Sequence, residues 1–485
     1  MGYIFLTIMG RKIPICRPWL FINILTVLLM SLLFLRVYVL YLTIDTARSH
    51  PDEEYWMQST YFYHLFIQEK DVSNKDWDNF ISYDQPPVGK YVLGFSLDTS
   101  HHQVALTNGG LKNWYNFAVK NWFVPKLKYL SIKSKHSEDL RNIRYAYFLI
   151  RETKDPRRAT HFMKRDYHAG RVGMLMVGVL ATGLLIVMVS FVLKNIVLGL
   201  LSGLIFLNNS MVVPTFQQIL IDPICCFFIL SSLLVLFWLF HELFINERLR
   251  SKIILLSILE GGLLAFAVGT KFITTYMIVT VGLVFITSIL IEIVKSWKLM
   301  KPLLIRPIIL RLSILILIGL STGIFFVLLN PFLYHNTIDN AIKMAQHRFI
   351  FMEMQQNIHF ASIRNFEERI ATIYEWGVLL DYTFHNIFEF ILYNIIFLVG
   401  LVVLVKRSLD ELVACFIGPM TIVLLWVAAS FVINGSMIPI QWERYYIPFV
   451  MCTCLILSLG LAVLMKAIGR AIKIVFSISL EGQKL

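Results

Sequence analysis

The sequence predicts an all-α polytopic membrane protein with about ten transmembrane helices and a large exterior first loop. The 485 residues have a mean hydropathy of +0.68, and 57% of them are hydrophobic whereas 15% are charged. Soluble domains average about 45–50% apolar and about 25% charged residues, so this composition excludes a soluble protein. Apolar runs of about 20 residues, enough for one helix to cross a bilayer, recur along most of the chain.

Each apolar run is expected to form one span. The run at 19–42 follows basic residues, but it is too long for a signal peptide, and we interpret it as a retained first membrane helix. The run at 196–209 is short for a span. The other expected spans are 172–193, 219–240, 253–269, 272–294, 307–329, 386–405, 412–433 and 445–465.

Lysine and arginine in the short loops predict the orientation of the chain. They concentrate at 248–252, 295–306, 406–407 and 466–473. If successive spans cross the membrane in alternating directions, these four loops and both termini lie on the same side. The positive-inside rule makes that side cytoplasmic. Two long polar segments, 43–171 and 330–385, then lie on the exterior face of a single membrane domain, 1–485, and function is expected there. Plasma membrane and endoplasmic reticulum are both compatible with this topology.

The chain carries 44 Lys and Arg against 31 acidic residues, a net charge of +13. In a membrane protein this excess indicates cytoplasmic loops and anionic lipid headgroups as partners, and no motif suggests nucleic acid. The first long loop is most basic at 112–171, where a solvated surface is favoured over an anion-binding face, with docking on headgroups as a further alternative. The histidines show no ligand spacing, so dependence on a divalent metal stays open.

Three consecutive carboxylates, Asp52, Glu53 and Glu54, follow His50-Pro51 soon after the first span. A helix start explains this pattern, because proline and acids both favour a first turn. A general base at the membrane surface is the functional alternative, since partial burial raises the pKa of a carboxyl group. Adjacent helical residues point about 100° apart, so Asp52 and Glu53 would have different tasks.

A second polar motif, Asp84-Gln85-Pro86-Pro87-Val88-Gly89-Lys90, lies about thirty residues further along. The prolines can start a helix that carries Lys90 on its first turn. A cation at a helix N-terminus is a plausible phosphate site, although a solvated loop-to-helix corner explains the same residues.

Six short motifs share one order along the chain and one predicted placement outside the membrane. They are Asp52-Glu53, Asp84-Gln85-Pro86-Pro87-Val88-Gly89-Lys90, Arg171, Ile221-Asp222-Pro223, Gly269-Thr270-Lys271 and Arg444-Tyr445-Tyr446. Together they resemble the protein O-mannosyltransferases and the related lipid A aminoarabinose transferases, which have the glycosyltransferase C-type fold. The lysine placed after the proline pair is closer to the O-mannosyltransferases, whereas the basic insert at 91–170 matches neither, so sugar and acceptor stay open.

The resemblance implies an inverting transfer of a sugar from a polyprenyl or dolichyl phosphate to a hydroxyl of a protein, lipid or glycan. It implies Asp52 as the catalytic base, with Glu53 as its partner or substitute. The cations would stabilise the departing lipid phosphate. The substrate-binding residues implied are Lys90, Arg171, Asp222, Lys271, Arg444 and Tyr445.

A non-enzymatic transporter or flippase of a lipid-linked sugar is the alternative. Few charges lie in the middle of the predicted spans, whereas acids concentrate just outside the first one, and this distribution favours surface chemistry over a translocation path. The segment 341–385 is rich in methionine and phenylalanine. It is expected to be an amphipathic exterior helix that could also cover an isoprenoid tail.

Overall fold

The computed structural model describes residues 4–8, 11–15, 18–118, 121, 159–245, 250–298, 305–358, 362–363 and 365–481. This part of the chain is almost entirely helical, apart from an antiparallel hairpin of β1 (Ile4–Ile8) and β2 (Arg11–Ile15). Most of the basic run predicted at 112–171 lies outside the described residues.

The main helices, numbered in chain order, begin and end at the following residues: α1 (Pro18–Leu42), α2 (Asp52–Ser59), α3 (Val88–Thr99), α4 (Gly109–Ala118), α5 (Lys164–Leu193), α6 (Ile196–Leu207), α7 (Val212–Gln217), α8 (Asp222–Ile245), α9 (Ser251–Thr270), α10 (Tyr276–Lys298), α11 (Ile305–Leu328), α12 (Thr337–Ile358), α13 (Phe366–Thr372), α14 (Ile387–Val413), α15 (Pro419–Ala429) and α16 (Ile447–Glu481). Shorter helical segments are Tyr61–Tyr63, His64–Gln68, Lys75–Asp78, Phe80–Tyr83, Phe272–Thr275, Pro331–Leu333, Ile373–Val378, Ser430–Asn434, Gly435–Met437 and Glu443–Tyr446.

Within the described ranges, nine helical segments are long and apolar enough to cross a membrane. This confirms the predicted all-α polytopic membrane class. The short run predicted at 196–209 is α6, whose 12 residues rise only about 18 Å against a hydrocarbon core of about 30 Å. It packs against α1, α5 and α16, so neighbouring helices surround a segment that is too short to span alone.

The membrane helices pack around one hydrophobic core. α5 contacts α6 and α8, α8 contacts α9, α9 contacts α11, and α14 contacts α16. Fully buried aromatic side chains, among them Phe216, Phe285 and Trp426, fill this core. Burial of such large apolar side chains provides tight packing, which fixes the helix ends relative to one another.

A second hydrophobic core lies in the polar segments 43–171 and 330–385. Its buried side chains come from α2, α3, α4 and α12, from the short helical segments between 61 and 83, and from α5 and the start of α8, with Ile221 just before it. Tyr83 stacks on Phe332 with 4.1 Å between ring centroids, and the Tyr91 hydroxyl donates to the Leu329 carbonyl at 3.1 Å. The two long segments therefore pack on each other next to the ends of membrane helices.

Two glycines permit this close approach. A β-carbon on Gly89 would lie 2.5 Å from Cγ2 of Ile221, and one on Gly269 would lie 2.7 Å from Cγ2 of Val88. Both distances are shorter than carbon atoms tolerate, so any larger residue would force a shift. The start of α3 is thereby held against the start of α8 and the end of α9, the two places that carry Asp222 and Lys271.

Candidate active site

Asp52 is the first residue of α2 and directly follows Pro51, whose φ of −57° is already helical. Its Oδ2 accepts a hydrogen bond from Nη2 of Arg444 at 2.5 Å, and both side chains are about nine-tenths buried. Arg444 lies in the helical turn before α16, with its guanidinium 4.9 Å from the centroid of the Trp442 ring. This ion pair joins the first loop to the last membrane helix.

His50 holds the start of α2 from the other side. Its Nδ1 accepts the backbone N–H of Asp52 at 3.0 Å. Burial and the nearby charge of Arg444 lower the pKa of His50, which keeps the imidazole neutral and Nδ1 available as an acceptor. The backbone N–H of Asp52, which has no partner within the helix because it lies in the first turn, is thus hydrogen-bonded.

Glu53 points away from Asp52 and is enclosed by donors. Arg171 binds it in a bidentate manner, with Nε to Oε1 and Nη2 to Oε2 both at 2.8 Å. The backbone N–H groups of Ile219 and His50 add bonds of 3.0 and 3.1 Å. The carboxylate therefore fastens α2 to α5 and to the segment before α8, while Arg171 also donates to the Ile44 carbonyl.

Lys271 and Asp222 form a second buried ion pair. Lys271 lies in the extended break after α9, and its Nζ donates to Oδ1 of Asp222 at 2.8 Å. Asp222 is the first residue of α8, where a carboxylate complements the helix dipole. The Lys271 ammonium also lies 4.2 Å from the centroid of the Tyr445 ring, a cation–π contact.

The two ion pairs line one cleft. Five of the predicted site residues meet there: Asp52, Asp222, Lys271, Arg444 and Tyr445. The other lining residues are Tyr55, Trp56, Asp84, Gln85, Trp114, Tyr115, Ala118, Ile221, Phe351, Gln355 and Trp442. Aromatic walls with a few convergent polar groups are typical of a small-ligand site.

Several polar atoms of this cleft have no hydrogen-bond partner within the described part of the chain. They include Nε1 of Trp56, Oδ2 of Asp222, Oε1 of Gln355 and Nε of Arg444. Buried polar atoms are rarely left unsatisfied in native proteins because each one costs about 1–3 kcal/mol. Within this cleft they provide donors and acceptors that a polar ligand with several hydrogen-bonding groups would satisfy.

Asp84, from the proline motif, forms a third polar cluster at the cleft. The Tyr115 hydroxyl donates to Oδ2 of Asp84, and Nε2 of His347 on α12 lies 3.5 Å from Oδ1. Burial acts to raise the pKa of Asp84, but the hydrogen bonds from His347 and Tyr115, with the charges of His347 and Arg348, outweigh it and lower that pKa. Asp84 is therefore a carboxylate that joins the two long loop segments.

Lys90, Glu53 and Arg171 do not line the cleft. Lys90 is fully buried on the first turn of α3, and its Nζ donates to the carbonyls of Ile81 and Ser82 at 3.0 and 2.9 Å. Burial lowers the pKa of Lys90 to about 7. Glu53 and Arg171 line a separate polar cavity on the other side of α2. All three side chains contact the segments that support the cleft.

An apolar groove adjoins the cleft at Tyr445, which lines both. One wall of the groove is α12, which contributes Met344, Phe349 and Met352, and Phe272 faces them from the break after α9. The same helix contributes Phe351 and Gln355 to the cleft. The groove therefore leads from an apolar surface to the buried ion pairs.

The sequence motifs did not identify every lining residue as functional. Trp56 lies one helical turn after Asp52, on the same face of α2. Its position next to Asp52 could therefore have been predicted from the sequence. Tyr115 and Gln355 have no motif, because only the packing of α4 and α12 on the loop core brings them to the cleft. Among the described residues, no group of three His, Cys, Asp or Glu side chains is arranged to hold a metal ion.

The family model of the dolichyl-phosphate-mannose-protein mannosyltransferases matches residues 153–337. This match, which spans less than half of the chain, includes Arg171, Asp222 and Lys271. It confirms the predicted resemblance to the protein O-mannosyltransferases. With the membrane helices described above, it makes the chain a polytopic membrane protein that is similar to this mannosyltransferase family over residues 153–337.

Among solved structures, the chain is similar to the crystal structure of ArnT from Cupriavidus metallidurans bound to undecaprenyl phosphate. The two chains are 14% identical with a TM-score of 0.46, and the similarity covers 90% of this chain and 60% of ArnT. The chain thus spans less than two thirds of the length of that protein. No curated protein matches the chain.

Proposed function

We propose that the protein transfers a sugar from a polyprenyl or dolichyl phosphate to a hydroxyl group of a protein, lipid or glycan acceptor. The observation that carries this proposal is the meeting of two buried cation–carboxylate pairs, Asp52–Arg444 and Asp222–Lys271, in one cleft beside an apolar groove. A sugar linked through phosphate to a long apolar chain has a part that matches each feature. Its phosphate is an anion for the cations, its sugar is a polar ring for the cleft, and its lipid tail fits the apolar groove. The family that matches residues 153–337 is named for a donor of this kind, dolichyl phosphate mannose.

Lys271 and Arg444 are the proposed phosphate ligands. Both cations line the cleft, and Nε of Arg444 has no hydrogen-bond partner within the described chain. Cations fixed in a buried site stabilise the charge that develops on a departing phosphate without having to reorganise. Asp222 holds Lys271 in place, and Tyr445 covers its ammonium.

Asp52 is the proposed general base. Arg444 occupies Oδ2 and thereby orients the carboxylate, while no residue of the described chain hydrogen-bonds to Oδ1. The acceptor hydroxyl would pass its proton to Oδ1 as its oxygen attacks the anomeric carbon from the face opposite the phosphate. The bond from that carbon to the phosphate oxygen breaks in the same step, and the configuration inverts.

The apolar groove is proposed to hold the first isoprene units of the donor. Its phenylalanine and methionine side chains provide an apolar surface that ends at Tyr445, next to Lys271. A lipid in this groove would place its phosphate at the two cations. This extends the hypothesis that the methionine-rich segment at 341–385 covers an isoprenoid tail.

Glu53, Arg171 and Lys90 are proposed as positioning residues. The hydrogen bonds of Arg171 to Glu53 and to the Ile44 carbonyl fix α2, while Lys90 ties α3 to the Ile81 and Ser82 carbonyls. Substitutions there would then act on the geometry of the cleft. The predicted donor contact of Lys90 and Arg171 stays a prediction, and their present acceptors would compete with a phosphate.

The active site is proposed to face the non-cytoplasmic side of the membrane. The cleft is built from the segments 43–171 and 330–385 and from the helix ends next to them. The basic short loops lie at the opposite helix ends in the predicted topology. An exterior cleft would meet acceptors that have already been exported.

A direct assay tests this function. Purified protein in lipid nanodiscs is incubated with radiolabelled polyprenyl-phosphate sugars and candidate acceptors, and sugar transfer or release is measured. We expect activity with at least one donor, reduced by about 10²-fold or more in Arg444→Gln. The matched control is Arg250→Gln, which removes an exposed arginine away from the cleft. A transporter would bind the donor without any sugar release, and equal activity of the two variants would remove Arg444 from the site.

A further inference from the structure

We propose that Gln355 and Trp56 form a subsite for hydroxyl groups of the donor sugar. This inference rests on the proposed function and adds two residues that recognise the sugar itself. Both side chains are about 95% buried, and both line the cleft. Neither belongs to the cation–carboxylate pairs.

The chemistry of the two unsatisfied atoms is complementary to a hydroxyl group. Oε1 of Gln355 can only accept a hydrogen bond, and Nε1 of Trp56 can only donate one. Neither atom has a partner within the described part of the chain. A sugar hydroxyl both donates and accepts, so neighbouring hydroxyls of one ring can satisfy both atoms.

The position of Trp56 places this subsite beside the proposed base. Trp56 follows Asp52 by four residues on α2, so the two side chains lie on one face of the helix. The Tyr55 ring packs edge-on against Trp56 with 4.8 Å between centroids, which fixes the indole. A ring held by Trp56 would present its anomeric carbon close to Asp52.

Gln355 comes from the helix that also forms the lipid groove. On α12, Met344, Phe349 and Met352 line the groove, and Phe351 and Gln355 line the cleft. One rigid helix would thus contact the lipid with one part and the sugar with another. Substitution of Gln355 would therefore weaken binding of a donor that carries both lipid and sugar. It would not affect binding of a lipid phosphate without a sugar.

The experiment compares two ligands and two matched variants. Equilibrium binding of polyprenyl phosphate and of its hexose-bearing form is measured for Gln355→Met and Gln356→Met in nanodiscs. Methionine has nearly the volume of glutamine without its amide, and Gln356 is the exposed neighbour on the same helix. We expect Gln355→Met to weaken binding of the sugar-bearing lipid about three- to tenfold and to leave the bare lipid phosphate unchanged. Gln356→Met should change neither.

Trp56→Phe is the second variant, which keeps the test valid if Gln355→Met does not fold. It removes the indole N–H and should show the same selective loss. Equal weakening of both ligands, or no change for either variant, would overturn the subsite. The wild-type protein must also bind the hexose lipid more tightly than the bare phosphate. Absence of transfer despite selective hexose binding would instead contradict the proposed function.

Discussion

The charged side chains of the cleft are paired although burial makes each charge costly. Removing an ion from water costs several kcal/mol, and the attraction within a buried pair often only offsets that cost. Asp52–Arg444 and Asp222–Lys271 therefore contribute little net stability, and unsatisfied atoms on Asp222 and Arg444 reduce it further. Such an arrangement is typical of a site that is completed by its ligand.

Lys271 provides the first prediction at this scale. Lys271→Gln should weaken binding of polyprenyl phosphate about tenfold or more, because the phosphate loses a charge-assisted partner. Isothermal titration or a fluorescent lipid analogue measures the affinity. Lys252→Gln is the control, since Lys252 forms an ion pair with Glu242 at the surface, away from the cleft. Equal affinity in the two variants would mean that Lys271 does not contact the phosphate.

Lys90 provides a prediction about pH. Its folded pKa of about 7 lies below the value of about 10.4 in an unfolded chain, so between these values the unfolded state binds the additional proton. The contribution of Lys90 to the free energy of unfolding should therefore rise from pH 7 to pH 10 and be constant below pH 6.

Lys90→Met removes this titration and is the comparison. The stability difference between wild type and Lys90→Met, measured by thermal unfolding in detergent at several pH values, should shift in favour of the wild type as pH rises. A difference that does not change between pH 7 and pH 10 would show that Lys90 stays charged in the folded protein.

At the scale of elements, the sequence predicted that the two side chains of the acidic pair point in different directions. Neighbouring positions on a helix point about 100° apart, and in the structure Asp52 contacts Arg444 while Glu53 contacts Arg171. The start of α3 directly after the proline pair also follows from local rules. These features depend on residues that are close in sequence.

The contributions of α12 could not be predicted in this way. Gln355 reaches the cleft and His347 reaches Asp84 because the whole helix packs on the loop core, and this packing depends on many distant apolar contacts. The burial of Lys90 was missed for the same reason. A cation after two prolines resembles a solvated or phosphate-binding residue until the Phe62 ring, 4.7 Å away, and two carbonyls enclose it.

The contact of α3 with α8 gives a prediction at the element scale. Gly89→Ala should lower activity, because the new methyl group would displace Ile221 and with it Asp222. We expect a loss of thermal stability and a larger proportional loss of transfer. Gly282→Ala is the control, since a β-carbon there meets nothing within 4 Å. Equal stability and equal transfer activity of Gly89→Ala and Gly282→Ala would contradict a role of the α3–α8 contact in positioning Asp222.

At the scale of the whole molecule, two cores meet at the cleft of the candidate active site. One fills the membrane bundle and the other fills the packed loop segments, and the cleft takes residues from both sides of their boundary. Composition and hydropathy predict the first core. The second is concealed in segments that look polar on average, since their aromatic residues are interspersed with charges.

The topology is tested with single cysteines on opposite sides. Ser73 and Ser251 are exposed, and they lie in the first long loop and at the start of α9. In a background without Cys16 and Cys415, Ser73→Cys should react with an impermeant thiol reagent applied from outside, and Ser251→Cys should react only after permeabilisation. The reverse pattern would place the cleft on the cytoplasmic face.

The central claim is that Asp52 is the base of a sugar transfer, and the most direct measurement is single-turnover transfer by wild type and Asp52→Asn. Asparagine keeps the shape but cannot accept the hydroxyl proton, so the rate should fall by about 10²–10⁴-fold while the lipid phosphate still binds. Thermal unfolding measures how much of each protein is folded, so that rates are compared at equal amounts of folded protein. Asp78→Asn, at an exposed aspartate, serves as the control. Wild-type transfer rates in a folded Asp52→Asn protein would contradict the account.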